Sequence, residues 1–173
     1  AHNSDLQNTF GWWFNVTETD VNNDGHKDYL LGNIGNNIKF KVSTEKPLRV
    51  YASDFDVNGI NDLVLSYKYN DVFVPARGRE CSSQQMPFIA EKIPTFNEFA
   101  NASLQDIYGD DLNSAYKREA NEFKSLLLMN NGDATFKKVS LPVMAQTMPI
   151  LDSAPIDYNN DGYEDLVVVG NIY

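Results

Sequence analysis

Asp20-Val-Asn-Asn-Asp-Gly-His-Lys-Asp28 runs directly into the apolar stretch Tyr29-Leu30-Leu31. The same frame returns twice without gaps. Asp54-Phe-Asp-Val-Asn-Gly-Ile-Asn-Asp62 precedes Leu63-Val64-Leu65, and Asp157-Tyr-Asn-Asn-Asp-Gly-Tyr-Glu-Asp165 precedes Leu166-Val167-Val168-Val169. The shared pattern is D-x-[DN]-x-[DN]-G-x-x-D followed by a strand-like run. Such a nonapeptide arises by chance on the order of once per million starting positions. Three of them in 173 residues are therefore an internal repeat. The first and third share a continuation as well, Gly32-Asn33-Ile34 and Gly170-Asn171-Ile172.

A tight loop with side-chain oxygens at positions 1, 3, 5 and 9 and a carbonyl at position 7 can wrap a hard cation, with glycine at position 6 permitting the turn. The candidate ligands are Asp20, Asn22, Asp24 and Asp28 with the carbonyl of His26 in loop one. Loop two offers Asp54, Asp56, Asn58 and Asp62 with the carbonyl of Ile60, and loop three Asp157, Asn159, Asp161 and Asp165 with that of Tyr163. Oxygen ligands in such number favour Ca²⁺ over Mg²⁺ and disfavour zinc or copper, so three Ca²⁺ sites are expected. An EF-hand is excluded because its twelfth position requires Glu, and Leu31, Leu65 and Val168 stand there. The alternative is a set of Asx-rich surface turns without metal.

The charge balance points the same way. Fourteen Lys+Arg against 24 Asp+Glu give a net charge of -10. Nine of those acids are the aspartates of the loops, and the other 15 almost balance the bases. A surface of this sign does not suit nucleic acid or anionic lipid.

Loops one and two start 34 residues apart, loops two and three 103 apart, which implies an insertion. Strand-like segments fall at 12–17, 28–32, 38–42, 48–52, 62–67 and 72–74, then at 124–129, 135–139, 150–156 and 165–169. Asn131-Gly132 marks a tight hairpin. Between them, at about 77–122, the pattern turns helical. Thr95-Phe-Asn-Glu98 and Ser103-Leu-Gln-Asp106 read as helix starts, the former as a capping box, and Gly109 reads as a stop. Leu112, Ala115, Tyr116 and Ala120 suggest a further short helix.

The three loops and their trailing strands resemble the FG-GAP/VCBS repeats of integrin-α-like calcium-binding β-propellers. Trp12-Trp13, Gly32-Asn33-Ile34-Gly35 and Gln85-Met86-Pro87 together resemble a VCBS-repeat group of large bacterial surface or exported proteins. The resemblance covers nearly the whole chain and implies a propeller in which each calcium loop joins the first two strands of a blade. It places the metal ligands on the residues named above. The expected fold is thus all-β: a partial β-propeller of about three blades within one fragment, 1–173, carrying a helical insertion. Propellers have typically 4–8 blades, so the chain reads as part of a longer protein. Open blade edges would then either drive self-association or be covered by the insertion.

The expected function is that of a non-catalytic, calcium-binding scaffold for a protein or glycan ligand, in an extracellular, cell-surface or periplasmic setting. A carbohydrate-binding part of a polysaccharide-active protein is the alternative, with Trp12, Trp13 and Phe14 as a stacking platform. No G-x-S-x-G, H-E-x-x-H, P-loop or dinucleotide motif occurs. His2 and His26 lack an evident nucleophile nearby, and Cys81 reads as an incidental thiol beside Arg77 and Arg79. One cysteine excludes an internal disulfide framework. No apolar run is long enough to span a membrane, and the polar start Ala1-His2-Asn3-Ser4-Asp5 is not a signal peptide.

Overall fold

The computed structural model describes residues 6–171; His2, the rest of the Ala1–Asp5 run and Ile172 lie outside the described residues. The described residues are mostly β, 33% strand and 19% helix, in antiparallel sheets of which none is closed. In order, the elements are β1 Asn15–Thr19, β2 Asp28–Gly32, β3 Leu48–Ser53, β4 Asp62–Tyr69, β5 Val72–Pro75, α1 Arg79–Gln85, α2 Phe88–Lys92, α3 Phe96–Asn101, α4 Leu104–Tyr108, α5 Asp111–Ser114, β6 Tyr116–Ala120, β7 Leu126–Asn130, β8 Phe136–Ser140, a 3-10 turn Val143–Gln146, β9 Asp152–Ile156 and β10 Asp165–Val169. The chain divides into two compact units, one made of 1–41 and 122–173, the other of 42–121. The expected helical stretch is part of the second unit, which also contains loop two.

The first unit holds a sheet of order β1-β2-β7-β8 and the separate pair β9-β10. Loop one joins β1 to β2, in register from Asn15↔Gly32 to Thr19↔Asp28, and loop three joins β9 to β10. Leu126, Leu127 and Leu128 are all buried, so this central strand is covered on both faces. Asn33 explains the Gly-Asn-Ile continuation. Fully buried, it accepts from Trp12 N–H at 3.0 Å and donates through Nδ2 to the Glu122 and Lys124 carbonyls at 2.9 and 3.2 Å. Its own N–H reaches Ser125 Oγ at 2.9 Å, and Gln146 on the 3-10 turn brackets the Ser125 backbone with two further bonds. A side chain here does the stitching that a ladder does elsewhere.

Segment 38–42 is not a strand. The Asn36 N–H goes to the Gln146 carbonyl, while Lys41 Nζ takes the carbonyls of Asn36 and Ile38. Backbone groups engaged in this way cannot form a ladder.

The second unit is a sheet of order β5-β4-β3-β6 with loop two between β3 and β4. Its core joins Tyr51, Phe55 and Val64 to Met86, Ile89, Phe99, Leu104, Ile107 and Tyr108 from the helices. Both helix starts at Thr95 and Ser103 are complete capping boxes, and Gly109 ends α4 with φ +62°. The helix expected over 112–120 is a single turn, α5, followed by strand β6. Tyr116–Ala120 pairs with Ala52–Leu48 of β3, so completing a sheet edge overrides the helix preference of Lys117, Arg118 and Glu119. Those charges also suit an exposed outer strand, and Glu119 binds Arg49 at 3.2 Å.

Thr95→Ala and Ser103→Ala should each destabilise the second unit by about 1 kcal/mol. Hydrogen exchange should show faster opening of α3 in the first variant and of α4 in the second. Unchanged protection would mean that packing alone holds these helices.

Candidate metal centre

One backbone hydrogen-bond pattern recurs in the three loops. The carboxylate at position 1 accepts from the N–H groups at positions 5 and 6. The bonds are Asp24 and Gly25 to Asp20 (3.1 and 3.0 Å), Asn58 and Gly59 to Asp54 (2.9 and 2.8 Å), and Asp161 and Gly162 to Asp157 (3.1 and 3.0 Å). The N–H at position 2 reaches the position-9 carboxylate, from Val21 to Asp28 at 3.3 Å, Phe55 to Asp62 at 3.2 Å and Tyr158 to Asp165 at 3.1 Å. The N–H at position 7 reaches the position-5 side chain in every case. Position 4 is left-handed throughout, with φ of 57° at Asn23, 59° at Val57 and 58° at Asn160, and the glycine at position 6 has φ of 82–89°. Acidic and amide side chains therefore fold each loop inward around its own oxygens.

Loop two brings three carboxylates together. Asp54, Asp56 and Asp62 each place one oxygen within 4.8 Å of the others, and this triad could hold a metal ion. Asp56 Oδ1 is buried and takes no hydrogen bond. Asp62 is 6% exposed, and its Oδ1 accepts from Gln85 Nε2 of α1 at 3.2 Å. Phe55 packs on Tyr108 at 4.9 Å between ring centroids. Burial and, secondarily, the charge of Asp62 push the Tyr108 hydroxyl well above its usual pKa. A buried, undonated oxygen on a carboxylate that lies among two more is costly unless positive charge joins it.

Loops one and three distribute charge differently because position 3 is an amide. Asn22 Nδ2 donates to Asp24 Oδ2 at 2.7 Å, and Asn159 Nδ2 to Asp161 Oδ2 at 2.9 Å. The N–H groups of His26 and Tyr163, then these amides, hold the Asp24 and Asp161 carboxyls below the ordinary aspartate range. Asp28 is fully buried, with Oδ1 on the Asn130 N–H of β7 at 2.8 Å, whereas Asp165 is exposed. The His26 ring lies against the β7–β8 turn, where a Cβ on Gly132 would sit 2.6 Å from Nε2, while Ile60 and Tyr163 are exposed.

Three supporting residues escape a reading confined to the repeat. Asn130 and Gln85 hold the outer oxygens of Asp28 and Asp62, although Gln85 stands in the conspicuous Gln85-Met86-Pro87. The third is Glu164, whose Oε2 accepts from the Asp20 N–H and the Thr19 hydroxyl, both at 2.8 Å. Those two bonds hold its carboxyl below the usual glutamate range. Away from the loops, Cys81 is an exposed thiol on α1. Trp13 packs over Gly11, while Trp12 and Phe14 are 42% and 43% exposed.

Val57 is the one β-branched residue at the left-handed position, where an L side chain costs about 1–2 kcal/mol. Asn occupies the equivalent positions 23 and 160 and tolerates that conformation. Since Val57 is 88% exposed, Val57→Asn should stabilise the second unit by about 1 kcal/mol in urea unfolding. A loss of stability would show that the Val57 side chain makes a compensating contact. Scanned against protein-family models, curated proteins and solved structures, the chain matches none.

Proposed function

We propose that the chain is a non-catalytic, calcium-binding β-propeller repeat module of an exported or surface protein, with one Ca²⁺ per loop. The observation that carries the reading is the convergence of the Asp54, Asp56 and Asp62 carboxylates, with Asp56 Oδ1 buried and undonated, inside a backbone frame that the other two loops repeat. Each loop offers three carboxylates and an amide oxygen, a set suited to a large, hard cation. Bound there, the ion supplies positive charge that offsets the repulsion among the carboxylates. The loop residues do the rest: they fix the turn and with it the register of the two strands it joins. Two separate four-stranded antiparallel sheets, each with such a loop between neighbouring strands, have the strand number of propeller blades.

A calcium-rich, extracellular or periplasmic setting suits such loops. The ligand of the scaffold would be a protein or a glycan. The run Leu166–Val169 of β10 has no charge to guard its edge, and self-association there belongs to the same reading.

Calorimetry should find three sites. At calcium a hundred times the dissociation constant, each site adds about 2.7 kcal/mol of stability. Excess chelator should therefore lower the melting temperature by many degrees, with Mg²⁺ restoring little of it. An identical melting curve for metal-free and calcium-saturated protein would identify the loops as ordinary Asx turns.

A second reading, glycan binding, is favoured by one feature. Trp12 and Phe14, two of the aromatic residues of the run 12–14, are 42% and 43% exposed, which offers their rings for stacking. On a glycan array, Trp12→Ala should abolish any specific saccharide signal. A signal that survives it, or none from the unaltered chain, rejects this platform.

A further inference from the structure

We propose that the metal sites of loops one and three fill cooperatively, coupled through Glu164; this rests on the calcium reading above. Position 8 is Lys27 in loop one, Asn61 in loop two and Glu164 in loop three. Glu164 stands between Tyr163, whose carbonyl is a candidate ligand, and the ligand Asp165. Its side chain leaves its own loop and closes on the other one, at the Asp20 N–H and the Thr19 hydroxyl. Asp20 is the first ligand of loop one, and its carboxylate in turn gathers the Asp24 and Gly25 N–H groups. A second bridge joins the same loops: Asn23 Nδ2 donates to the Gly162 carbonyl at 3.4 Å.

These links connect ligand to ligand. Charge-assisted bonds of this kind are stronger than neutral ones. Thr19 is 1% exposed, so its hydroxyl has no water to replace Glu164 if the clamp opens. A cation that orders residues 163–165 fixes the backbone from which Glu164 projects, and so meets part of the ordering cost of loop one. By linkage the converse holds equally. Glu164 also brings a negative charge, rooted in one loop and seated on the other, which offsets repulsion between two neighbouring divalent ions.

The amides of Gly25, Gly59 and Gly162 each donate to the first aspartate of their own loop, so their NMR signals report the three loops separately. In a titration of the full chain with calcium alone, Asp165→Asn, which disables site three, should weaken binding read at Gly25 by about tenfold. The Gly59 midpoint should not move. In a Glu164→Ala background, adding Asp165→Asn should shift the Gly25 midpoint much less, the remainder carried by the Asn23 bridge. Asn23→Gly, which removes the second bridge without a backbone penalty, should reduce the coupling and serves where Glu164→Ala disturbs the unit. A Gly25 midpoint that ignores Asp165→Asn, or answers to it undiminished without Glu164, overturns the coupling and leaves the calcium reading standing. No saturable shift at any of the three glycines overturns that reading and the coupling with it.

Discussion

Each loop depends on a carboxylate folding the chain around itself. Asp20, Asp54 and Asp157 take the N–H groups of the fifth and sixth residues, which reverses the chain within one turn. Asp28, Asp62 and Asp165 then reach back to the second residue and close the ring. In loop two the turn shaped by these bonds also holds the carboxylates of Asp54, Asp56 and Asp62 within 4.8 Å of one another, so geometry and charge oppose each other there. Other features of the loops limit such a conflict. Asn22 and Asn159 each donate to a neighbouring carboxylate, the left-handed fourth residue and the glycine at position 6 permit the reversal, and the cation proposed above would supply the remaining charge.

The repeat was legible because its cause is local. A nine-residue ring with fixed side-chain roles leaves its signature in the order of residues, and the capping boxes at Thr95 and Ser103 are local in the same sense. Strands flanking the loops were legible from apolar runs. What stayed hidden depends on distant partners. Tyr116–Ala120 reads as helix until β3 presents an unpaired edge to it, and 38–42 reads as strand until Lys41 and Gln146 claim its surroundings. The boundaries of the second unit at 42 and 121 follow from the pairing of β3 with β6, which no local pattern announces. Glu164 was hidden for the same reason: position 8 is free in the repeat, and its meaning lies in Thr19, 145 residues away.

The ninth residue shows how far the environment of one frame can differ. Asp28 and Asp62 turn one oxygen inward to their own loop and the other outward, and both are buried. A buried carboxylate needs that outer oxygen occupied. In loop one the Asn130 N–H of β7 fills it, main chain from the next strand of the sheet. In loop two a helix does so, through the Gln85 side chain. The helices are therefore not only a covering for the second sheet. α1 gives Asp62 the donor that β7 gives Asp28, and Phe55, one residue into the same loop, packs on Tyr108 of α4. The helical excursion follows β5 with loop two intact: a side-chain donor from α1 stands at the oxygen of Asp62 where Asp28 has a strand's backbone donor.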